Sequence, residues 1–281
     1  MAEPTTTPET PSAAPTPGTD TGPSVAYLNW QARQSRNRRQ VQVGRVLLLL
    51  AFLGLWEAAP RVGLVNPMLT SYPSAVWQGF MELIAQGNLG LHIGVTMMEV
   101  VISFAVAMVL GTLVAILLWL SPMLEKVLDP FLVVGNALPK IALVPIFYIW
   151  LGPTGSIYAV AIAVSLFITI LMLYTGFQQT DPNKIKLART LGAGQRQILT
   201  KVVLPGNVHT FMATLKANVG LSLVGVIVGE FQASKAGLGY LIVYGSQIFR
   251  MDMVMAAIVI LSLISVAIYL AVQKADALLN R

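Results

Sequence analysis

Long apolar runs without a charged residue constrain this chain more than any other feature of its sequence. Residues 100–120, 156–177 and 253–272 contain no Asp, Glu, Lys or Arg. Each run has about the 20 residues that a helix needs to cross a membrane. Only 11% of the chain is charged, against about 25% in soluble domains. The sequence therefore predicts an all-α, multi-pass membrane protein.

Three further segments bring the predicted number of transmembrane helices to six. Residues 41–59 carry charge only near their ends, residues 207–229 carry one lysine, and residues 127–151 are broken by three prolines. The charged and helix-breaking residues of these segments are Arg45, Glu57, Lys216, Pro130, Pro139 and Pro145. We predict a transmembrane domain over residues 41–281, preceded by a tail over residues 1–40.

The tail has two parts of different composition. Residues 1–24 contain six Pro and seven Thr, and a segment so poor in large apolar residues is expected to be disordered. A basic stretch follows, and no signal peptide is predicted, because no cleavage site follows an apolar core. We assign the tail no function.

The distribution of positive charge predicts the orientation. With six crossings, both termini lie on one side, together with the segment over residues 178–206. That side carries thirteen Lys and Arg residues and the other side three. Because Lys and Arg collect in cytoplasmic loops, both termini and residues 178–206 are predicted to be cytoplasmic. The net charge of +6 then needs no nucleic acid partner.

Two segments on the other side have features of their own. Residues 73–86 place apolar side chains at helical spacing after a proline, which predicts an amphipathic helix along the membrane interface or across the end of the bundle. Residues 231–252 contain Gly237 and Gly239, which permit a tight turn or close backbone approach. This second segment is either a re-entrant element or a loop.

The polar segment over residues 178–206 has the pattern of two short helices. Asp181 followed by Pro182 is a helix-start signal, and Gly192 can end that helix with a positive φ. Residues 195–203 are predicted to form a second helix, which Pro205 ends. A connector between transmembrane helices usually needs far fewer residues, so this loop is predicted to bind a partner.

The same segment resembles the cytoplasmic loop of ABC importer permeases of the binding-protein-dependent type. Their motif is Glu-Ala-Ala, three residues, Gly, nine residues, then Ile-x-Leu-Pro. Here nine residues likewise separate Gly192 from Val202-x-Leu204-Pro205. Ala188 matches the second alanine of the motif, whereas Lys186 and Leu187 stand where Glu and the first Ala are usual. Similarity to nitrate/sulfonate/taurine-type permeases extends over residues 137–145, 150–152 and 238–242, and includes Trp56-Glu57 and Ser71-Tyr72-Pro73-Ser74.

The resemblance implies the type I ABC importer permease fold and a transport role without enzymatic activity. It implies that the loop over residues 181–205 docks on a separate ATPase subunit. Two such subunits are expected to bind ATP and Mg. Two permeases are expected to pair, and a homodimer is the favoured arrangement. An extracytoplasmic substrate-binding protein delivers the solute. The implied coupling residues are Ala188, Arg189, Thr190, Leu191, Gly192, Leu204 and Pro205.

Polar groups within the predicted transmembrane helices are candidates for the translocation path, because they are costly in lipid. The candidates are Asn136, Pro139, Lys140, Ser222 and Glu230. For Glu99 and Glu230, an interfacial or structural role is favoured over a role in the path. Lys216 is expected to extend its side chain to the interface. Gly225 and Gly229 allow close helix packing, either within the chain or between two copies.

Other functions are less consistent with the sequence. The chain has no nucleotide-binding motif of the Gly-x-x-x-x-Gly-Lys-Ser/Thr type and no cysteine, and its two histidines are far apart, so neither ATP nor a metal is expected on this chain. An ion-coupled secondary transporter remains the alternative of another class. The favoured solute is an anion resembling a sulfonate, nitrate or taurine. A vitamin precursor such as a thiamine pyrimidine is the alternative.

Overall fold

The computed structural model describes residues 25–279, and all of the regular structure in this part of the chain is helical. Short 3-10 and π-helical turns occupy residues 140–143 and 199–203. The α-helices are α1 (Val25–Arg61), α2 (Pro67–Thr70), α3 (Pro73–Ala85), α4 (Leu89–Leu120), α5 (Pro122–Ala137), α6 (Val144–Gln178), α7 (Pro182–Thr190), α8 (Gln195–Ile198), α9 (Leu204–Gly206), α10 (Val208–Ala233), α11 (Leu238–Gln247) and α12 (Met251–Leu279).

Five helical stretches in the described residues are long and apolar enough to cross a membrane, whereas the sequence predicted six. They are Asn37–Arg61, Leu89–Leu120, Lys140–Gln178, Val208–Ala233 and Met251–Lys274. The difference lies in the proline-broken third segment. Its first half, α5, has 16 residues and spans about 24 Å at 1.5 Å per residue, which is short of a bilayer core of about 30 Å. Its second half is continuous with α6, which is itself interrupted at Gly152, where φ is 73°.

The described residues divide into two compact units, one that ends at Leu55 and one that begins at Trp56. The described residues of the first unit form most of α1, a single helix in which residues 37–55 are all exposed. The basic residues Arg38 and Arg39 lie within this helix, so the chain is already helical before position 41. The predicted disordered segment, residues 1–24, lies outside the described residues.

Close contact between α6 and α10 forms the centre of the larger unit, and α4 packs against both helices. A Cβ atom added at Gly225 would lie 2.5 Å from the Cα of Ala161, and one added at Gly229 would lie 2.8 Å from the Cα of Ile157. No side chain fits at such distances. The two glycines of α10 therefore serve packing within the chain, one of the two alternatives left open by the sequence.

Buried polar side chains connect the same three helices. Ser165 of α6 hydrogen-bonds Ser222 of α10 at 2.9 Å, and Asn218 of α10 donates to Thr169 of α6 at 2.7 Å. Asn218 also lies 3.3 Å from the sulfur of Met108 in α4. Since these groups are fully or almost fully buried, the hydrogen bonds reduce the cost of keeping polar groups among apolar helices.

The larger unit has two chemically different ends. At one end, Gln195 donates to the carbonyl of Leu120, where α4 finishes; we call this the loop end, because residues 178–206 lie there. At the other end, the backbone N–H of Gly237 donates to His92, near the start of α4; we call this the opposite end. It also carries α3 and α11, which pack against α12.

Candidate functional site

Helix α7 is fixed on the loop end by its cap and by one apolar face. The Asp181 side chain accepts a hydrogen bond from the N–H of Asn183 at 2.8 Å, which satisfies a free donor of the first turn. Ile185 and Ala188 pack against a buried cluster that includes Phe177 and Leu173 of α6. The start signal predicted from the sequence is thus confirmed.

Gly192 ends this helix in the backbone conformation that the sequence predicted, with φ at 83°. The N–H of Gly192 donates to the carbonyl of Arg189, and that of Ala193 donates to Ala188. A positive φ of this size is strained for residues with a Cβ, so glycine permits the sharp turn. The turn returns the chain to the bundle, where Ile198 and Leu199 are buried.

The second half of the loop is less regular than predicted. Helix α8 is short and passes into a π-helical turn over residues 199–203, in which the N–H of Leu204 donates to the carbonyl of Leu199. The chain does not end its helical course at Pro205, which lies in the first turn of α9; the break comes at Asn207, where φ is −111°. Proline is tolerated in a first turn because its missing N–H has no helical partner there.

The residues predicted to contact the ATPase subunit do not all have the same exposure. Four of them, Arg189, Thr190, Leu191 and Gly192, are exposed, and Leu191 is 79% exposed. Ala188 and Leu204 are half-buried against the bundle, and Pro205 is exposed. Leu187 was not among the predicted residues, yet it is 61% exposed. Its position four residues before Leu191 is the helical spacing that would have identified it.

Positive charge surrounds these leucines. Five basic side chains of the loop are exposed, and none has a salt bridge within residues 25–279. They are Lys184, Lys186, Arg189, Arg196 and Lys201. Asp181 is the only acidic residue between positions 181 and 206, and its carboxylate caps α7. The loop therefore presents a net positive surface with an apolar centre.

Three of the predicted path residues come together at the break between α5 and α6. The Lys140 ammonium group donates to the carbonyl of Asn136 at 2.5 Å and lies 5.3 Å from the ring centre of Phe167. Pro139 is exposed, whereas Asn136 and Lys140 are half-buried. The carbonyl of Asn136 is available because α5 ends at Ala137, and the last four carbonyls of a helix have no partner within it. The ammonium group is thus placed on the surface of this chain, at the interruption of the third predicted transmembrane segment.

The other two path candidates lie inside the protein. Ser222 is fully buried and bonded to Ser165, and Glu230 is 1% exposed beneath α11. The Glu230 carboxylate accepts from the N–H of Gly239 at 2.5 Å and from the hydroxyl of Thr96 at 2.6 Å. In this structure, Glu230 holds the first turn of α11 on α4 and α10.

Three consecutive backbone donors fasten that turn. The N–H groups of Gly237, Leu238 and Gly239 donate to His92, Thr96 and Glu230, respectively. The first N–H groups of a helix have no partner within the helix, and a carboxylate is favourable there. The segment over residues 231–252 is therefore not a plain loop. It contains α11, and the first turn of this helix is bonded to α4 and α10.

Glu99 lies beside Glu230 and is 5% exposed. Both side chains are buried, and they are close enough to influence each other electrostatically. These contacts agree with the structural role that the sequence favoured for both residues.

Helix α3 is confirmed as an amphipathic helix and is fastened at both ends. The Glu57 carboxylate accepts from the N–H of Ser74 at 3.0 Å and from its hydroxyl at 2.7 Å. At the other end of α3, Arg250 donates to Glu82 and to Asp252, each at 2.6 Å. Hydrogen bonds to Asp252 and to Glu82 raise the pKa of the Arg250 guanidinium above its usual value.

Lys216 has a specific partner that the sequence did not predict. Its ammonium group forms a salt bridge with Asp276 of α12 at 2.5 Å, and Asp276 lies just beyond the apolar stretch that ends at Lys274. Sixty residues separate the two partners, so their pairing depends on the packing of α10 against α12. This partly buried pair ties the loop ends of the two helices together.

These features define a helical, multi-pass membrane protein with an exposed helical loop at one end. Residues 107–281 match the family described as binding-protein-dependent transport system inner membrane component, and the chain belongs to this family. It is the permease subunit of an ABC importer in the inner membrane, a transport subunit and not an enzyme. Such importers work with a separate ATPase and with a substrate-binding protein, so an ion-coupled secondary transporter is excluded.

Known relatives extend over most of the chain. The chain is 29% identical to the formylaminopyrimidine transport permease protein ThiX of Halalkalibacterium halodurans, covering 83% of this chain and 93% of that protein. It is 26% identical to the putative aliphatic sulfonates transport permease protein SsuC of Bacillus subtilis, covering 78% and 80%. An inward-facing structure of the MetNI methionine ABC transporter shares the fold, with a TM-score of 0.63, 15% identity and coverage of 70% and 98%.

Proposed function

We propose that this permease imports a small organic or inorganic anion of the sulfonate, nitrate or taurine type and that residues 181–205 couple it to the ATPase subunit. The geometry of the loop carries this proposal. One face of α7 is packed on the bundle, while Leu187 and Leu191 are 61% and 79% exposed on the remaining surface. Exposed leucines on a fixed helix are typical of a surface that a partner covers.

The loop is suited to transmit motion because both of its ends are fixed. Asp181 caps the entrance, and at the exit Asn207 donates to Thr180 at 2.8 Å and to the carbonyl of Val203 at 2.8 Å. The Asn207 amide thus joins the two ends of the loop. A displacement of α7 by a docked subunit would therefore be passed to α6, which ends just before the loop, and to α10, which begins just after it.

The anion preference is supported by the similarity to SsuC and by Lys140. An ammonium group held at the break between α5 and α6 can attract an anion in a low-dielectric region. Asn136, Pro139 and Lys140 form this part of the proposed path, and Ser222 and Glu230 support the helices that surround it. Glutamine at position 140 would remove the charge and retain most of the side-chain length.

The remaining architecture follows the same proposal. Two copies of the chain form the pathway, two ATPase subunits bind ATP and Mg at the loop ends, and the binding protein docks at the opposite ends. Residues 122–151 make the sixth crossing in broken form, and both termini lie in the cytoplasm. The positive charge of the loop end supports this orientation.

A vitamin precursor such as a thiamine pyrimidine is the second candidate solute. The similarity to ThiX favours it, since its 29% identity exceeds the 26% identity to SsuC. A neutral or cationic pyrimidine would not need the positive charge of Lys140. The two candidates therefore differ in what they require at the break between α5 and α6.

Uptake by the assembled transporter separates the two candidates. The complete complex, with ATPase and binding protein, is reconstituted in vesicles containing ATP, and accumulation of radiolabelled taurine, an alkanesulfonate or formylaminopyrimidine is measured. We expect accumulation of the sulfonates, reduced by Lys140→Gln. Accumulation of the pyrimidine alone, unaffected by Lys140→Gln, would replace the anion proposal by the second candidate.

The absence of cysteine from the chain makes the orientation directly measurable. Thr190→Cys places a single thiol on the exposed loop, and Lys235→Cys places one at the opposite end. In intact cells, a membrane-impermeant maleimide should label position 235 and spare position 190 until the membrane is opened. The reverse pattern would invert the proposed orientation.

A further inference from the structure

The exposed surface of the loop combines an apolar centre with uncompensated positive charge. Leu187 and Leu191 lie four residues apart, at the spacing of neighbours on a helix surface. Lys186 and Arg189 flank them on the same short helix and are exposed. A partner that covers the leucines must therefore approach these two cations.

The loop cations differ from the basic residues that this chain pairs internally. Arg61, Lys216 and Arg250 each have a carboxylate within 2.6 Å. The loop cations have none within the described residues, and the nearest acid in sequence, Asp181, is used as a helix cap. Covering an unpaired cation costs free energy unless the partner supplies a compensating group.

The direction of this surface argues against lipid as its main contact. Ile185 and Ala188 turn one face of α7 towards the ends of α4 and α6. The remaining face, with Leu187, points away from those transmembrane helices and hence away from the bilayer that surrounds them. A protein beneath the bundle can reach it, whereas a bilayer beside the bundle cannot do so without bending.

A shallow groove of about 340 Å³ next to the leucines has the same character. Ala188, Ala193 and Val202 line it with apolar atoms, while Gln197 and Lys201 supply its polar part. Such a groove accommodates one apolar side chain with an acceptor beside Lys201. The groove and the two leucines thus present complementary parts of one docking surface.

We propose that the surface of the ATPase subunit that receives this loop is acidic, with carboxylates arranged around an apolar pocket for Leu187 and Leu191. The proposal rests on the coupling role proposed above and adds the chemistry of the partner. The apolar contacts supply contact area, and the charges select the partner and accelerate its association. An ATPase subunit with a neutral or basic docking surface should pair poorly with this permease.

Cross-linking of the complete permease–ATPase complex tests the proposal directly. A carbodiimide joins a lysine amine to a carboxylate in contact with it, whereas an amine-reactive bifunctional reagent joins lysines over a longer distance. We expect carbodiimide links from Lys184, Lys186 or Lys201 to Asp or Glu of the ATPase. Loop-to-ATPase links with the amine reagent but none with carbodiimide would overturn the acidic surface and leave the coupling role intact. No link with either reagent would overturn the coupling role itself.

Charge reversal supplies the quantitative test. The double variant Lys186→Glu/Arg189→Glu should weaken ATPase binding to this permease roughly tenfold at low salt, which corresponds to about 1.4 kcal/mol, and the salt dependence of binding should decrease. Lys274→Glu is the control, because Lys274 is exposed at the loop end but outside the loop. It should change binding less than about twofold. The double variant changes the net charge by four units and Lys274→Glu by two. Weakening by Lys274→Glu of half the free energy or more would overturn the proposal, because net charge alone would then explain the effect.

Lipid composition removes the remaining alternative. The same binding measurement is made in nanodiscs of zwitterionic lipid and in nanodiscs containing anionic lipid. We expect the effect of the double variant to be the same in both. An effect that is present only with anionic lipid would show that the loop cations contact headgroups, and the acidic docking surface would be rejected.

Discussion

The loop and the opposite end of this permease use charge in different ways. At the opposite end, Arg250 pairs with Glu82 and Asp252, and Glu230 accepts from the backbone of α11. On the loop, exposed cations and exposed leucines lie side by side without salt-bridge partners among the described residues. Charges that are satisfied within the chain fasten its parts together, whereas unsatisfied charges next to apolar surface are available to another protein.

The difference also concerns the short helices at each end. Helices α3 and α11 are held by side chains from other helices at their first turns, so their positions depend on the whole bundle. Helix α7 is capped by its own Asp181 and closed by Gly192. A helix whose ends are fixed by its own neighbouring residues retains its shape when a partner covers its surface, which suits docking. A helix held by distant side chains is suited to closing one end of the bundle.

The largest effect is expected from changing the turn that shapes the loop. Proline at position 192 cannot adopt a φ of 83°, because its ring fixes φ near −65°. Gly192→Pro should therefore displace α7 and abolish co-purification of the ATPase subunit, while the purified permease keeps the Tm of the parent within a few degrees.

Gly192→Asn is the matched control, since asparagine tolerates positive φ better than other residues with a Cβ. It should retain most of the binding. If Gly192→Pro also co-purifies with the ATPase, the contrast between a docking end and a fastened end does not hold.

The next largest effect is expected where the opposite end is fastened. Thr96 is fully buried, donates to Glu230 and accepts from the N–H of Leu238. Thr96→Val leaves the N–H of Leu238 and the carboxylate of Glu230 without the threonine hydroxyl. It should lower the free energy of unfolding by about 2–3 kcal/mol. Thermal unfolding in detergent measures the loss.

Thr200→Val provides the comparison at the loop end. Thr200 is exposed and bonds only to carbonyls of the preceding turn, so its replacement should change the stability by less than about 0.5 kcal/mol. Similar losses in both variants would mean that α11 is held by apolar packing and that its polar contacts contribute little.

A moderate effect is expected from the salt bridge between α10 and α12. Asp276→Asn leaves the Lys216 ammonium group partly buried without its carboxylate and should cost about 1–2 kcal/mol of stability. The double variant Lys216→Met/Asp276→Asn should regain part of that loss, because no unpaired charge remains. An additive loss would show that the two residues do not interact and that this loop-end pair resembles the free cations of the loop.

The smallest effect concerns the exposed pair at the end of α3. Glu82 is 55% exposed in its side chain, so water and salt screen its attraction to Arg250. Glu82→Gln should lower the stability by about 0.2–1 kcal/mol, and the difference should disappear at high salt. A larger loss that persists in salt would indicate that Arg250 holds α3 more strongly than an exposed salt bridge can.

Local sequence signals predicted the loop well. Asp181, Pro182 and Gly192 act on neighbouring backbone groups, so their effects can be identified without knowing the fold. The second half was predicted less well, because a π-helical turn over residues 199–203 allows helical structure to continue through Pro205. Its bonding pattern depends on burial of Ile198 and Leu199 against the bundle, which a short window of sequence does not reveal.

Partners that lie far apart in the chain could not be predicted. Glu230 was identified as a costly group in a transmembrane helix, but its bond to Thr96 joins positions 134 residues apart. Lys216 was expected to extend to the interface, and its actual partner is Asp276. In both cases the sequence indicated that a partner was needed, and the arrangement of α4, α10 and α12 selected it.

The sequence by itself determined the helical, multi-pass architecture, the loop between two apolar segments and the family, because hydrophobic length, helix caps and motif spacing are properties of contiguous residues. The tertiary structure decided that the third predicted transmembrane segment is divided between α5 and the start of α6. It also decided the contact of Gly225 and Gly229 with α6 and the hydrogen bonds that hold α11. It also distinguished paired charges from free ones. These outcomes depend on which helices pack together, and burial then fixes whether a polar group must find its partner inside the chain or can present itself to another protein.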